Sequence, residues 1–218
     1  MPKATFFNLK PEKRLIIEQA AMAEFAHYGA KGASLNRIVR AAGIAKGSFY
    51  QYFEDMNDLL DHLLLQLGER KVAFIQQALV DNADLEFHAK LSEIYRASVR
   101  FLADLTPLEV QFSEQIARHY TPSGKVSDYR QTTTQSLIHP LVVDAVASGE
   151  VTVSVELAFA VTSQFPDMFR QYIRSIHKTE PLSEVLIQSD AFEAAFNQII
   201  AVIKAGLTLD PQEKNEDV

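Results

Sequence analysis

The sequence predicts an all-α fold, and three observations support the prediction. Apolar residues recur at the three- and four-residue spacing of amphipathic helices along most of the 218-residue chain. No segment alternates apolar and polar residues as a half-buried strand does. Ser, Asp, Pro and Gly stand between the apolar segments, where helices begin and turns form. These patterns indicate about nine helices.

The first four helices have the clearest boundaries. Residues 1–10 read as a flexible arm, after which Pro11 suits the first turn of a helix that runs to about residue 28. Gly29 and Gly32 are expected to end that helix. The fourth helix is long and no linker composition interrupts it, so it should join an N-terminal head to a C-terminal body. The second, third and fourth helices are expected at about residues 34–42, 45–51 and 55–80.

The rest of the chain shows five further helical patterns. Pro140 and Pro166 lie inside two of them, so kinks or short breaks are expected there. We place the functional boundary between a head at 1–55 and a body at 56–207, and we expect the acidic end at 208–218 to be a disordered tail. The five patterns cover about residues 84–105, 107–119, 127–147, 154–177 and 190–206.

The composition is that of a soluble globular protein, with 47% hydrophobic and 22% charged residues. No apolar run is long enough to span a bilayer and no signal peptide is recognised, so we expect a cytoplasmic protein without a membrane partner. The absence of cysteine excludes disulfides, thiol catalysis and thiolate metal sites. No histidine pair has metal-ligand spacing and no motif fixes a catalytic nucleophile. We therefore expect no metal, no cofactor and no enzymatic activity.

The charge is distributed unevenly along the chain. The whole chain carries a net charge of −7, yet residues 1–53 contain eight Lys and Arg against three Glu, a net charge of +5. The remainder therefore carries −12. A basic head suits contact with phosphate, and an acidic body is kept away from it. Chance clustering beside an acidic tail is the alternative explanation.

Residues 34–60, SLNRIVRAAGIAKGSFYQYFEDMNDLL, have the layout of a helix-turn-helix. This motif places its second helix in the major groove of DNA. The hydroxyl of Ser34 can cap the first of the two helices, and Gly43 stands where the chain must turn with a positive φ. Phe49 and Phe53 are four residues apart and should pack inward on one helix face.

The short helix after the turn exposes side chains of the types that contact DNA. Tyr50 is the better phosphate candidate, whereas Gln51 and Ser48 are the better candidates for reading bases. Arg37, on the preceding helix, is expected to touch the DNA backbone. Alternatively, all of these are ordinary surface residues of a helical protein. The predicted DNA-binding residues are Ser34, Arg37, Lys46, Gly47, Ser48, Tyr50, Gln51, Tyr52 and Asn57.

The same stretch resembles the TetR family of bacterial transcription regulators. The resemblance covers about residues 14–60 and implies a three-helix DNA-binding head on a larger helical body that binds a ligand and forms a dimer. The resemblance is specific because the glycine, tyrosine and phenylalanine residues are all separated by the same number of residues as in the family. The residues that carry the resemblance are Phe25, Gly29, Ser34, Ile38, Ala42, Gly43, Ile44, Lys46, Gly47, Ser48, Phe49, Tyr50, Tyr52, Phe53, Leu59 and Leu60.

One position departs from the family pattern. Where the family usually places a phosphate-contacting lysine, at the start of the fourth helix, this chain has Met56 among acidic residues. Acidic residues suit a helix N-terminus but repel phosphate. Asn57 or a backbone N–H could still contact DNA there, and we expect weaker non-specific binding than a lysine would provide.

The resemblance also implies an effector pocket inside the body. Fourteen Phe and no Trp indicate a mainly apolar interior, so we expect an apolar or amphipathic small molecule. Any single candidate could instead simply fill the core. The candidate effector-binding residues are Tyr95, Phe101, Gln111, Phe112, Gln115, His119, Gln164, Phe165, Met168 and Phe169.

The last two helices carry more apolar positions than one buried face needs. This surplus indicates a homodimer built around a two-fold axis, and such a dimer would read a palindromic operator. The candidate interface residues are Phe159, Tyr172, Ile176, Phe192, Phe196, Ile199 and Ile203.

The sequence therefore predicts a homodimeric TetR-like regulator, a repressor that a small-molecule effector releases from its double-stranded DNA operator. A DNA-binding protein of the same fold, architectural or controlled by a protein partner, is the first alternative. A helical enzyme whose head resembles a helix-turn-helix by accident is the second. The sequence does not identify the effector, the operator or the target genes.

Overall fold

The computed structural model describes residues 2–119, 123–176 and 190–208. These residues form ten helices and no strand, so the predicted all-α fold is confirmed. Most of the predicted acidic tail, residues 209–218, lies outside the described part of the chain. The helices are α1 (Ala4–Phe7), α2 (Pro11–Gly32), α3 (Leu35–Ala41), α4 (Lys46–Tyr52), α5 (Met56–Asp81), α6 (Phe87–Ala103), α7 (Pro107–His119), α8 (Gly124–Ser148), α9 (Val155–Ile176) and α10 (Asp190–Leu207).

Two local expectations are wrong, and the expected helix ending at Gly29 and Gly32 is confirmed. The segment expected as a flexible arm contains α1, and the side chain of Phe6 is completely buried. Gly29 interrupts α2 as expected, because its φ of 68° and ψ of 176° are non-helical and separate two helical stretches, the second of which ends at Gly32. The helix α8 runs through Pro140 without a break. The segment before Pro11 is ordered because Phe6 packs against residues distant in sequence, such as Phe53.

The described chain divides into two compact units. The first unit contains Met1–Lys71 and Asp104–Arg130, and the second contains Val72–Ala103 and Gln131–Val218. Thus α7 and the start of α8 belong with the predicted head, and α5 contributes to both units. The functional boundary near residue 55 stays a prediction, since compact packing does not decide which residues bind DNA or effector.

The first unit has its own hydrophobic core. Helix α7 packs along α2, and the rings of Phe25 and Phe112 lie 6.5 Å apart, centroid to centroid. At the bend of α2, a side chain on Gly29 would lie 3.1 Å from Nε2 of Gln115, so the glycine permits this close approach. The buried residues are Phe6, Ile17, Ala21, Phe25, Ala26, Ile38, Val39, Ala42, Phe49, Phe53, Leu59, Leu60, Leu63, Phe112 and Ile116.

The second unit has a separate core, built from the end of α5 and from α6, α8, α9 and α10. Tyr95 and Phe196 meet edge to face at 6.3 Å, and the hydroxyl of Tyr95 donates to the carbonyl of Thr162 at 2.8 Å. The buried residues are Ile75, Ala78, Phe87, Leu91, Ile94, Tyr95, Ala97, Ile138, Val142, Ala145, Val151, Ala158, Phe196, Ile203 and Leu207.

Candidate nucleic-acid interface

The turn between α3 and α4 has a well-defined helix ending. Gly43 has a φ of 61°, the left-handed conformation that glycine adopts most easily. The N–H of Ile44 donates to the carbonyl of Val39 at 3.0 Å, and the N–H of Gly43 donates to the carbonyl of Arg40 at 3.2 Å. This pair of hydrogen bonds is the Schellman ending of a helix. The predicted role of Gly43 is confirmed.

A lysine of α2 holds the same turn from outside. The ammonium of Lys13 donates to the carbonyl of Ala42 at 3.1 Å and lies 3.4 Å from the carbonyl of Gly43. A cation at a helix C-terminus also meets the negative end of the helix dipole. Sequence reasoning missed this contact, since 29 residues separate Lys13 from Ala42 and no local pattern links them.

The start of α3 is bound to a buried carboxylate. Glu24 is only 7% exposed, and its Oε1 accepts from the backbone N–H of Ser34 at 2.7 Å and from Nε of Arg37 at 2.8 Å. Arg37 also donates to the carbonyl of Gly32 at 2.9 Å and lies over the ring of Tyr28 at 3.9 Å. The hydrogen bond that Arg37 donates to Glu24 raises the pKa of Arg37 above its ordinary value, so the guanidinium stays charged.

Two predicted DNA-binding residues therefore have internal roles. Ser34 occupies the N-cap position as expected, but its side chain makes no capping bond and its backbone N–H is satisfied by Glu24 instead. The sequence predicts that Arg37 touches the DNA backbone, yet its guanidinium joins α2 to α3. Any contact of these residues with DNA remains a prediction.

Helix α4 presents the face that a recognition helix needs. Phe49 is fully buried beneath it, whereas Tyr50 is 48% exposed. A Cβ added to Gly47 would meet no neighbouring atom within 4 Å, so the backbone there is open to close approach. Ser48 and Tyr52 are half-buried. The exposed residues of this helix are Lys46, Gly47, Tyr50 and Gln51.

The start of α5 lacks the family's lysine and is capped by an aspartate. Oδ1 of Asp55 accepts from the N–H of Asp58 at 2.8 Å, the usual N-cap geometry. Met56 is half-buried and packs against the core of the first unit, so it offers no charge to phosphate. Asn57 is exposed at the first turn.

The predicted effector residues are divided between the two units, and whether they bind an effector remains a prediction. Tyr95 and Phe101 are buried in the second unit, and burial raises the pKa of the Tyr95 hydroxyl. In the first unit, Phe112 fills the core, Gln115 lies beside Gly29 and Gln111 is exposed. On α9, Gln164 and Met168 are exposed. The side chains of Phe165 and Phe169 on α9, and of His119 at the end of α7, lie outside the described residues.

Two grooves on the second unit have volumes of about 270 Å³ and 160 Å³. The larger contains Arg100, which is ion-paired with Glu93, and the aromatic ring of Phe74. Neither of the two grooves is lined by a predicted effector residue.

The candidate dimer residues also separate by burial. Phe196 is fully buried and Ile203 is 5% exposed, so both are occupied within the chain's own core. Phe159 and Ile199 are half-buried. The side chains of Tyr172, Ile176 and Phe192 lie outside the described residues.

Within the described residues, no helix is both long and apolar enough to cross a membrane. The same part of the chain contains no group of three potential metal-ligating side chains.

A helix-turn-helix with an exposed second helix, carried by an all-helical chain, is the arrangement found in a large class of DNA-binding transcription regulators. Residues 17–63 match the model of the bacterial regulatory proteins of the tetR family. The resemblance to the TetR family is thus confirmed, and the chain has the fold of a TetR-family transcriptional regulator.

Solved structures of similar proteins agree over nearly the whole chain. A TetR family transcriptional regulator from Chloroflexus aurantiacus J-10-FL is 26% identical with a TM-score of 0.64, over 94% of this chain and 98% of that one. FadR from Bacillus subtilis, in complex with stearoyl-CoA, is 19% identical with a TM-score of 0.62, over 88% and 98%. The fatty acid degradation regulator FadR from Bacillus halodurans is 19% identical with a TM-score of 0.63, over 91% and 100%. A search of curated proteins found no matching sequence.

Proposed function

We propose that this protein is a homodimeric transcriptional repressor that binds a palindromic operator and leaves it when a small molecule binds. The observation that carries the proposal is the exposed face of α4, with Lys46, Gly47, Tyr50 and Gln51 open to solvent above the buried Phe49. A short helix held on a rigid core in this way suits insertion into the major groove.

The residues of α4 divide into two roles. Lys46 and Tyr50 contact phosphates, which positions the helix and makes binding sensitive to salt. Gln51 and Ser48 read bases, Gln by paired hydrogen bonds to adenine. Gly47 lets the backbone approach the duplex. Glu24, Arg37 and Lys13 support the motif from within the protein rather than at the DNA surface.

Uncharged stripes on α9 and α10 form the dimer interface. The two helices pack against each other within the second unit, and each presents exposed, uncharged side chains at helical spacing. A partner subunit would cover these stripes rather than Phe196 and Ile203, which are buried within the chain itself. The stripe on α9 comprises Leu157, Ala160, Gln164 and Met168, and the stripe on α10 comprises Ala194, Gln198, Ala201, Val202 and Ala205.

The effector is an apolar or amphipathic molecule bound in the second unit. The similar FadR structure from Bacillus subtilis holds stearoyl-CoA, which supports this class of ligand. Tyr95 and Phe101 are the described candidates that lie in the apolar core of this unit. If the core opened at Tyr95, the hydrogen bond between the Tyr95 hydroxyl and the Thr162 carbonyl would break. Both groups could then bind and orient a polar group of the ligand.

The response is a shift between two populations of the dimer. Helix α5 has residues in both units, so it can pass a displacement caused by the ligand to α4. A ligand that prefers the conformation unsuited to two adjacent major grooves would lower operator affinity. A ligand that binds tightly yet leaves operator affinity unchanged would contradict this mechanism.

The test is selection of sheared genomic DNA by the purified protein, followed by fluorescence anisotropy titrations of the recovered fragments at two salt concentrations. We expect a palindromic fragment to bind at least about a thousandfold more tightly than scrambled DNA. Salt-sensitive binding without sequence preference would instead support an architectural role. Failure to bind any DNA would overturn the proposal.

Control by a protein partner, without a small-molecule effector, is the second candidate. The observation that favours it is the packing of Tyr95, Phe101 and Phe112, which all fill hydrophobic cores. Thermal unfolding in the presence of fatty acids and acyl-CoA esters separates the two candidates, because a ligand that binds the native state must raise the melting temperature.

A further inference from the structure

The last three carbonyl groups of α4 are all bound by a segment near the N-terminus. The ammonium of Lys3 donates to the carbonyl of Tyr50 at 2.7 Å, and the backbone N–H of Lys3 donates to the carbonyl of Tyr52 at 2.8 Å. Between them, the hydroxyl of Thr5 donates to the carbonyl of Gln51. The final carbonyls of a helix have no partner within the helix, so these bonds complete its C-terminus.

Phe6 anchors this segment in the core of the first unit. Its side chain is fully buried, with the ring centroid 4.8 Å from that of Phe53 and 5.4 Å from that of His62. Tyr52, the last residue of α4, lies 6.1 Å from the same ring. Burial of the phenylalanine ring stabilises the docked segment, so α1 holds Lys3 and Thr5 against α4.

Helix α4 needs such support because it is only seven residues long. Helices of two turns are not stable on their own in water, and packing must hold them. At its C-terminus the chain leaves immediately in an extended conformation at Phe53, without a glycine ending. A cation beside the last carbonyls, as Lys3 provides, also favours the negative end of the helix dipole.

We propose that Lys3–Phe6, which we call the capping segment, positions the recognition helix for DNA. The carbonyls that it binds belong to Tyr50, Gln51 and Tyr52, so the segment sets the orientation of the residues proposed to contact phosphate and base. The capping segment lies outside the residues that match the family model, 17–63. This inference rests on the proposed function, since positioning matters only if α4 binds DNA.

Thr5→Val in the full-length protein is the sharpest test. Valine keeps the shape of threonine and removes the hydroxyl that binds the Gln51 carbonyl, and Thr5→Ser is the matched control because it keeps the hydroxyl. Neither substitution changes the charge, whereas a Lys3 variant would weaken all DNA binding through lost charge. Deleting the segment is unsuitable, because loss of the buried Phe6 ring would destabilise the whole first unit and not only the end of α4.

Two quantities are measured for each variant. The first is the amide hydrogen exchange rate in α4 of the free protein, which reports the capping bond without DNA. The second is the affinity for the genomic fragment selected above and for scrambled DNA. We expect Thr5→Val to increase the amide exchange rate in α4 by about fivefold. The same substitution should weaken binding to the selected fragment by about fivefold. Binding to scrambled DNA should not change, and Thr5→Ser should behave like the wild type.

Other outcomes overturn the inference. Unchanged exchange and unchanged affinity in Thr5→Val would mean that the hydroxyl does not hold α4. Weaker binding without faster exchange would mean that Thr5 contacts DNA directly, and faster exchange without weaker binding would mean that the capped end has no role in recognition. Faster exchange in a protein that selects no DNA fragment would instead identify a failure of the proposed function.

Discussion

Nε of Arg37 lies 2.8 Å from Oε1 of Glu24, a carboxylate buried beneath the helix-turn-helix. The pair joins α2 to α3. The same carboxylate oxygen accepts a hydrogen bond from the backbone N–H of Ser34, the N-cap residue of α3. An arginine that looks like a DNA contact in the sequence is thus part of the support of the motif. Arg37 therefore supports the motif through bonds within the protein, and any contact of its guanidinium with DNA remains a prediction.

Glu24→Ala should lower the free energy of unfolding by about 2–3 kcal/mol, because it leaves the Ser34 N–H and the Arg37 guanidinium without their partner. Urea denaturation followed by circular dichroism measures the loss. Glu69→Ala, at an exposed position on α5, is the control and should stay within about 0.5 kcal/mol of the wild type. Equal stability of the two variants would show that the buried carboxylate does not support the motif.

Gly47→Ala should separate stability from DNA binding. A Cβ at position 47 meets no atom within 4 Å and the residue is helical, so alanine should raise the free energy of unfolding by about 0.5–1 kcal/mol. The added methyl group should nevertheless weaken operator binding by about tenfold if the backbone approaches the duplex there. Anisotropy titrations measure the second effect.

Gly206→Ala is the matched control for that substitution. Position 206 lies in α10 and is also open, with nothing within 4 Å of a Cβ. Operator affinity should be unchanged in this variant. If Gly47→Ala also left operator affinity unchanged, close approach of the α4 backbone to DNA would be ruled out.

The stability of the first unit should depend on the ionisation of Glu109. Burial alone would raise the pKa of this carboxyl, but hydrogen bonds from the N–H and hydroxyl of Thr106 and from Arg70 lower it below its ordinary value of 4.5. A carboxyl with a lowered pKa in the folded state stabilises the protein above its unfolded pKa. That contribution is lost as the pH falls through the folded pKa.

Glu109→Gln should therefore cost about 1–2 kcal/mol of unfolding free energy at pH 7. The difference from the wild type should shrink as the pH falls below about 4.5. Urea titrations at pH 7 and at pH 3.5 measure it, with Glu69→Gln on α5 as the exposed control. A difference between Glu109→Gln and the wild type that is independent of pH would assign the stability to packing rather than to charge.

Val202→Glu should disrupt the proposed dimer. Val202 is 72% exposed on the uncharged stripe of α10, and a two-fold interface would bury two like charges there. The dimer dissociation constant should rise more than tenfold, as sedimentation velocity measures. Val80→Glu alters an equally exposed valine, 70% exposed at the end of α5, and should leave the dimer intact. Equal effects of the two substitutions would place the interface elsewhere.

The sequence by itself determined the helix-turn-helix, because the signals that build it are local. Gly43 ends α3 through its own backbone conformation, and Phe49 and Phe53 turn inward because four residues make one turn of a helix. The uneven charge and the all-α fold could be read in the same way, from composition and periodicity.

Only the tertiary structure decided which helix faces are covered and which distant groups meet. Helix α10 is apolar on several sides, so periodicity could not tell that Phe196 and Ile203 pack inward while Val202 stays exposed. The capping segment meets α4 across more than 40 residues of chain, and Glu24 meets Arg37 across 13. Contacts of that kind depend on how helices pack, which no pattern within one helix encodes.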